Sequence, residues 1–179
     1  MIKNMKDAER DAAFRVADAM CAAAHTAPKA NGLDKIRTLI VSGEDIEPLA
    51  KEMEVAGKEY GLEFFCRDAD NIRNSHCVVL IAAMGTASGV PHCAMCGFEN
   101  CAEMSKADAC CSFSATDLGI AIGSAAQRSD SSSSPIMLSF ATEYLCPQGR
   151  RATTSTEHQA PYCCSFCSVT ALPAGQNKL

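Results

Sequence analysis

Cys77-Val78-Val79-Leu80-Ile81-Ala82-Ala83-Met84-Gly85 is the longest apolar run in the chain, and how it is read decides the fold. It is β-branched at its start and far shorter than the roughly 20 residues that span a bilayer. Such a run fits a strand buried on both faces. A strand of that kind needs covering layers above and below, so the flanking sequence should supply helices. From about Asp7 to His25, Ala12, Ala13, Val16, Ala17, Met20 and Ala24 recur at helical spacing among good helix formers. Pro28 and Gly32 end that helix. Ile36 to Val41 is a short β-rich run closed by Ser42-Gly43, which predicts a strand. About Ile46 to Tyr60 predicts a second helix, with Leu49, Met53 and Ala56 on one face and Gly61 as its stop. Leu62 to Cys66 reads as another strand, and Asp68 to Ser75 as a polar turn or short helix. Asp117 to Ala126 is small, apolar and helix-compatible despite its two glycines. Strands alternating with helices predict an α/β (α+β) domain, a layered sheet with flanking helices.

The chain has 179 residues, 47% hydrophobic and 21% charged, enough to bury a core without staples. The expected organisation is an α/β domain over 1–127 containing a cysteine segment at about 85–117. A divergent, low-complexity or poorly ordered tail over 128–179 would follow, marked by Ser129-Asp130-Ser131-Ser132-Ser133-Ser134 and by weak periodicity beyond. The net charge of −5, with basic residues scattered among acids, argues against a nucleic-acid partner. No run is long enough for a membrane span, and the charged start Met1-Ile2-Lys3-Asn4-Met5-Lys6 lacks the apolar stretch of a signal peptide. The expected location is therefore cytoplasmic, away from the membrane. The twelve cysteines then point to metal or redox chemistry rather than to disulfides.

Their placement identifies the group that matters. Cys93-Ala94-Met95-Cys96-Gly97-Phe98-Glu99-Asn100-Cys101 has the spacing C-x2-C-x4-C, and Cys110 and Cys111 follow about one short segment later. An iron–sulfur cube needs four thiolates converging from several directions. A C-x2-C turn wraps one corner, with Gly97 letting the backbone approach a sulfide. A helical turn from about Phe98 brings in Cys101, and a returning segment supplies the fourth thiolate. Phe98 is placed to shield one face from water. Structural zinc also uses four cysteines, but usually as two separated pairs. A redox-active C-x-x-C explains only two of the thiols. Cys21, Cys66 and Cys77 fall on apolar faces and fit the packing role of buried cysteine. His92 reads as a loop histidine beside the cysteines, and His25 and His76 as packing or surface residues.

These motifs resemble an uncharacterised prokaryotic ferredoxin-domain family. The resemblance rests on Cys93-x2-Cys96-Gly97-Phe98-x2-Cys101, then Cys111, then Thr116-Asp117-Leu118-Gly119-Ile120-Ala121-Ile122-Gly123-Ser124-Ala125. Upstream, Ala24-His25-Thr26-Ala27-Pro28-Lys29-Ala30-Asn31-Gly32 and Phe65-Cys66-Arg67-Asp68-Ala69-Asp70-Asn71 are similar to further signatures of that family. The resemblance covers roughly residues 1–126. It implies one [4Fe–4S] cluster on Cys93, Cys96, Cys101 and Cys111, the distance to the Asp117 motif selecting Cys111 over Cys110. The order of elements also resembles the flavin-dependent nitroreductase fold, with Ala27-Pro28-Lys29-Ala30-Asn31 and the Asp117 helix in corresponding places. That second resemblance implies FMN, although Arg10 and Arg15 do not reproduce the family's phosphate-binding arginines.

The functional expectation is an iron–sulfur protein in electron transfer or redox chemistry, served by a redox partner protein or a flavin, and compatible with a homo-oligomer. A cluster-based sensing module and a zinc-stabilised structural protein are the alternatives. No residue is assigned a catalytic role. Asp68, Asp70 and Asp117 read as capping or turn residues, and Lys29 as an exposed lysine near the Ala-Pro loop.

Overall fold

The computed structural model describes residues 2–130, 137–141 and 167–173. Helix α1 (Met5–Thr26) is followed by strand β1 (Ile36–Ser42), helices α2 (Ile46–Tyr60) and α3 (Glu63–Arg73), and strand β2 (Ser75–Ala83). A short helix α4 (Cys101–Lys106), helix α5 (Ser112–Asp130) and strands β3 (Met137–Ala141) and β4 (Cys167–Pro173) complete the described chain. The strands form one sheet in the order β1-β2-β4-β3, antiparallel throughout. This is the expected fold class, a layered mixed α/β domain.

β2 sits inside the sheet, with Val79 opposite Ile40 of β1 on one side and Thr170 of β4 on the other. Successive side chains of a strand point to opposite faces, and here both faces are covered. Cys77, Val79, Ile81 and Ala83 pack with Ala17, Met20 and Ala24 of α1 and with Leu118, Ala121 and Ala125 of α5. Val78 packs on the other side with Ile46, Ala50 and Met53 of α2 and with Phe65, Ala69 and Ile72 of α3. The alanines of α1 and α5 let those two helices approach each other and the sheet closely.

The strand expected over 62–66 does not form, because those residues lead into α3. Its buried residues Phe65, Asp68, Ala69 and Ile72 recur at the helical period. α2 ends in Gly61 at φ 68°, a left-handed conformation that glycine adopts without strain and that turns the chain back on itself. The two helices then meet closely: a Cβ on Gly57 would lie 3.0 Å from Cys66 Sγ and 3.1 Å from both the Leu62 carbonyl oxygen and Phe65 Cβ. Arg73 ties the pair further, donating from Nε to Glu47 at 2.9 Å and from its guanidinium to Glu54 and to Asp70. Within 128–179, expected from sequence to be a divergent, low-complexity or poorly ordered tail, residues 128–130 end α5 and 137–141 and 167–173 are strands. Residues 131–136 and the cysteines Cys146, Cys163 and Cys164 lie outside the described residues. Among the described residues, no helix is long and apolar enough to cross a membrane.

Replacing Gly57 with Ala improves helix propensity by roughly 1 kcal/mol but overpacks this contact at a cost of about 1–3 kcal/mol. Two of the three nearest atoms belong to, or sit directly on, the backbone and have little room to yield. The expected outcome is a lower urea midpoint for G57A; an unchanged or higher midpoint would show that α3 does not press on α2 this closely.

Candidate metal centre

β2 ends at Ala83, and the chain then crosses the end of the sheet in an irregular loop that leads to α4 and α5. Hydrogen bonds lace this loop to its surroundings. The Met84 N–H donates to the Lys35 carbonyl at 3.0 Å, and the Cys111 N–H to the Gly85 carbonyl at 2.9 Å. The Asn31 side-chain amide donates to the Ser88 carbonyl at 3.1 Å. The segments before β1, after β2 and before α5 are thereby drawn together.

Cys93, Cys96, Cys101 and Cys111 all line one small cavity at this point, walled mainly by Val90, Met95, Met104 and Phe113. Each thiol is placed by a local device. Gly97, at φ 82°, closes the turn that carries Cys93 and Cys96, its N–H donating to the Ala94 carbonyl at 2.9 Å. Cys101 is the first residue of α4, which starts there and not near Phe98 as the sequence suggested. The Asn100 side-chain oxygen caps that helix, accepting from the Ala102 and Glu103 N–H groups at 2.9 and 3.0 Å. Buried Met104 anchors α4 from below. Cys111 directly precedes α5, and Cys110 beside it is not in the cavity wall. Phe98 is likewise absent from the wall, where Phe113 and Met104 take the shielding place expected of it. His92 is exposed at φ 53° and does not line the cavity either.

Cys111 has the most developed surroundings of the four. Its Sγ lies 3.3 Å from the Ser88 hydroxyl, and the Lys35 ammonium donates to that hydroxyl at 2.8 Å. Burial pushes the Cys111 thiol up, but hydrogen bonds from the Ser88 side chain and from the Phe113, Ser88 and Ser114 N–H groups outweigh it. The net effect holds the thiol below its ordinary value, as expected where a helix begins. The sequence reading did not find Lys35 or Ser88. A single lysine before a strand and a serine in a glycine-containing loop carry no motif that marks them. By contrast, burial pushes the Cys77 thiol up to about 11, helped by Asp18 and Cys21, and also raises Cys21. Those two remain packed thiols, as their apolar setting in the sequence suggested.

The residues around the Ala-Pro loop are engaged within the chain. Lys29, expected to be exposed, has a buried side chain whose ammonium donates to the Ala24 carbonyl at 3.0 Å, the Ala27 carbonyl at 2.8 Å and the His25 carbonyl. It caps the C-terminus of α1. Asp117 is not a helix cap: it lies inside α5, is buried, and accepts the Ala30 N–H at 2.9 Å. Asp68 and Asp70 lie inside α3, where they pair with Arg67 and Arg73. Arg10 borders a larger open cavity with Ser42, Arg73 and His76, at the opposite end of the sheet. Beside 27–31, the cations Lys29 and Lys35 are thus spent on groups of the chain itself. Among the described residues, no three His, Cys, Asp or Glu side chains converge to hold a single metal ion.

No family model matches the chain, so the ferredoxin-domain resemblance rests on the motifs quoted above. An uncharacterized protein of Archaeoglobus fulgidus is 40% identical over 133 residues, which cover 70% of this chain and 72% of that protein. A BluB-like flavoprotein of Clostridium difficile 630 is similar in structure with a TM-score of 0.55 at 12% identity, covering 92% of this chain and 83% of that one. The hypothetical oxidoreductase YcnD of Bacillus subtilis is similar with a TM-score of 0.50 at 17% identity, over 90% of this chain and 58% of its own length. At these identities the likeness shows the fold, which is nitroreductase-like.

Ser88→Ala removes the side-chain bond that holds the Cys111 thiol down. In the metal-free protein, a Cβ chemical-shift titration of Cys111 should show its midpoint below that of an ordinary thiol, and a higher midpoint in S88A. The sign for stability follows. A depressed folded value means that thiolate stabilisation is present above the unfolded value and is lost as pH falls through the folded one. S88A should therefore narrow the stability difference between mildly alkaline and mildly acidic pH; equal midpoints in the two proteins would contradict the assignment.

Proposed function

The chain belongs to one family with the uncharacterized Archaeoglobus fulgidus protein, and from that premise we propose an iron–sulfur protein that holds one [4Fe–4S] cluster on Cys93, Cys96, Cys101 and Cys111 and passes single electrons to a partner. The observation that carries this reading is the lining of one cavity by all four thiols. The wall contains no imidazole or carboxylate, and an all-thiolate donor set suits iron–sulfur clusters and zinc. The two differ in breadth. A single zinc ion draws its thiolates to about 2.3 Å from the metal, whereas a cube spreads them over its corners. The close C-x2-C-x4-C spacing of Cys93, Cys96 and Cys101, unlike the two separated pairs usual for zinc, supports the cube.

When bound, the cluster supplies a one-electron couple, with potentials spanning about −700 to +450 mV across such sites. The chain's own residues do the rest. The Gly97 turn, the Asn100 cap and the start of α5 hold the thiolates, and Val90, Met104 and Phe113 limit water around them. Cys93, Cys96, Cys101 and Cys111 are free thiols, available together as ligands. The likeness in fold to a flavoprotein supports a second reading, in which FMN serves the same redox role. Lys29 and Lys35 are committed to internal acceptors, so a flavin phosphate held by this chain would draw on other cations.

Anaerobic reconstitution should yield a brown protein with iron and sulfide equivalent to one cube per chain, bleached by dithionite. Cys96→Ala and Cys111→Ala should lose stoichiometric iron, while Cys110→Ala and Cys163→Ala should keep it. A colourless protein carrying zinc would falsify the cluster, and full iron content in C96A would overturn the ligand set.

A further inference from the structure

Behind Cys111 lie two buried polar groups that the ligand set leaves unexplained. Lys35 is 5% exposed and Ser88 1% exposed. The Lys35 ammonium donates to the Ser88 hydroxyl oxygen at 2.8 Å and to the Thr86 carbonyl, and Ser88 Oγ lies 3.3 Å from Cys111 Sγ. Among the described residues, Lys35 forms no ion pair with a carboxylate. Burial of an ammonium is costly unless negative charge or several acceptors face it. Here it faces two neutral oxygens and, one hydrogen bond beyond, a sulfur.

The donor inventory settles the Lys35 end of this chain of bonds. A lysine ammonium can only donate, so the Ser88 oxygen accepts from it. The one hydroxyl hydrogen of Ser88 is then left for Cys111 Sγ. A hydroxyl polarised by the ammonium thus stands 3.3 Å from the sulfur, and negative charge gathered at the Cys111 side balances buried Lys35.

We propose that Lys35 and Ser88 are positioning residues that place a hydroxyl and a buried positive charge behind Cys111 and raise the reduction potential of the centre, an inference that rests on the cluster reading above. Gain of one electron from an external donor adds one negative charge at the site, with no bond made or broken and no proton required. A hydrogen bond to a ligand sulfur and a buried positive charge behind it both favour the more negative state. Neither residue touches the reacting atoms; Lys35 acts through Ser88, and Ser88 through Cys111.

The test uses the full chain, reconstituted anaerobically, with iron content, circular dichroism and a dithionite titration against redox dyes measured for the parent, Lys35→Met, Lys35→Arg and Ser88→Ala. Lys35→Met and Ser88→Ala should keep the parent's iron stoichiometry yet titrate at more negative potential, and lose iron to a chelator about 10–100-fold faster. Lys35→Arg, which keeps the charge, should titrate closer to the parent than Lys35→Met does. Midpoints equal to the parent's at equal iron content overturn the inference while leaving the cluster in place. A parent that takes up no iron overturns both. Should Lys35→Met fail to fold by circular dichroism, Ser88→Ala alone decides, because it removes a single oxygen and reads the same midpoint.

Discussion

The burial of β2 on both faces is the constraint from which the other elements follow. Its odd-numbered residues from Cys77 to Ala83 belong to the layer of α1 and α5, and Val78 to the layer of α2 and α3. A strand so placed has no wet side, so a shift of one residue in register would exchange the two layers and their fit. The pairing of Ile36 with Ala83 then sets where β2 stops, and with it where the cysteine loop begins. The Met84 bond to the Lys35 carbonyl continues that register by one step beyond the strands. The cavity is therefore located by the sheet even though none of its wall comes from a strand.

Two helix starts meet at this end of the sheet, and they solve an electrostatic problem. The four thiolates that the proposed cluster requires around one cavity would repel each other. Cys101 begins α4 and Cys111 precedes α5, so two of the four lie where unpaired N–H groups and the positive end of the helix dipole favour negative charge. α4 is short, and its dipole is correspondingly weak. α5 is long, and the Phe113 and Ser114 N–H groups reach Cys111 directly. The remaining compensation is the lysine behind Ser88. The site thus collects its positive character from backbone and one buried side chain, in a chain whose net charge is −5.

Much of this was legible in the sequence because it is local. The bounds of α2 and its Gly61 stop, the run of β2 and the spacing of Cys93, Cys96 and Cys101 are all patterns within a few turns of chain. The failures were of two kinds. Leu62 to Cys66 has the composition of a strand, and only a window extended to Ile72 shows the helical period that wins. Lys35, Ser88 and Asp117 have roles set by contacts between residues distant in the chain, while Lys29 folds back on the end of α1; side-chain burial of either kind leaves no periodic trace. An isolated lysine reads as exposed by default, and two of the chain's lysines are buried here against carbonyl and hydroxyl oxygens.

The nitroreductase-like fold and the cysteine segment are best understood as separate layers of the molecule. Residues 84–111 fall between β2 and α5 and interrupt neither the sheet nor the α1–α5 layer, so a cysteine loop is carried without altering the scaffold. Function resides in sites placed on folds, and likeness at 12% and 17% identity carries the scaffold alone. The Ala-Pro loop shows how the two layers are joined. Asn31 donates to the Ser88 carbonyl, Ala30 donates to Asp117 of α5, and Lys29 closes α1. The Ala-Pro loop thus braces the cysteine loop and the helix that follows Cys111 from behind.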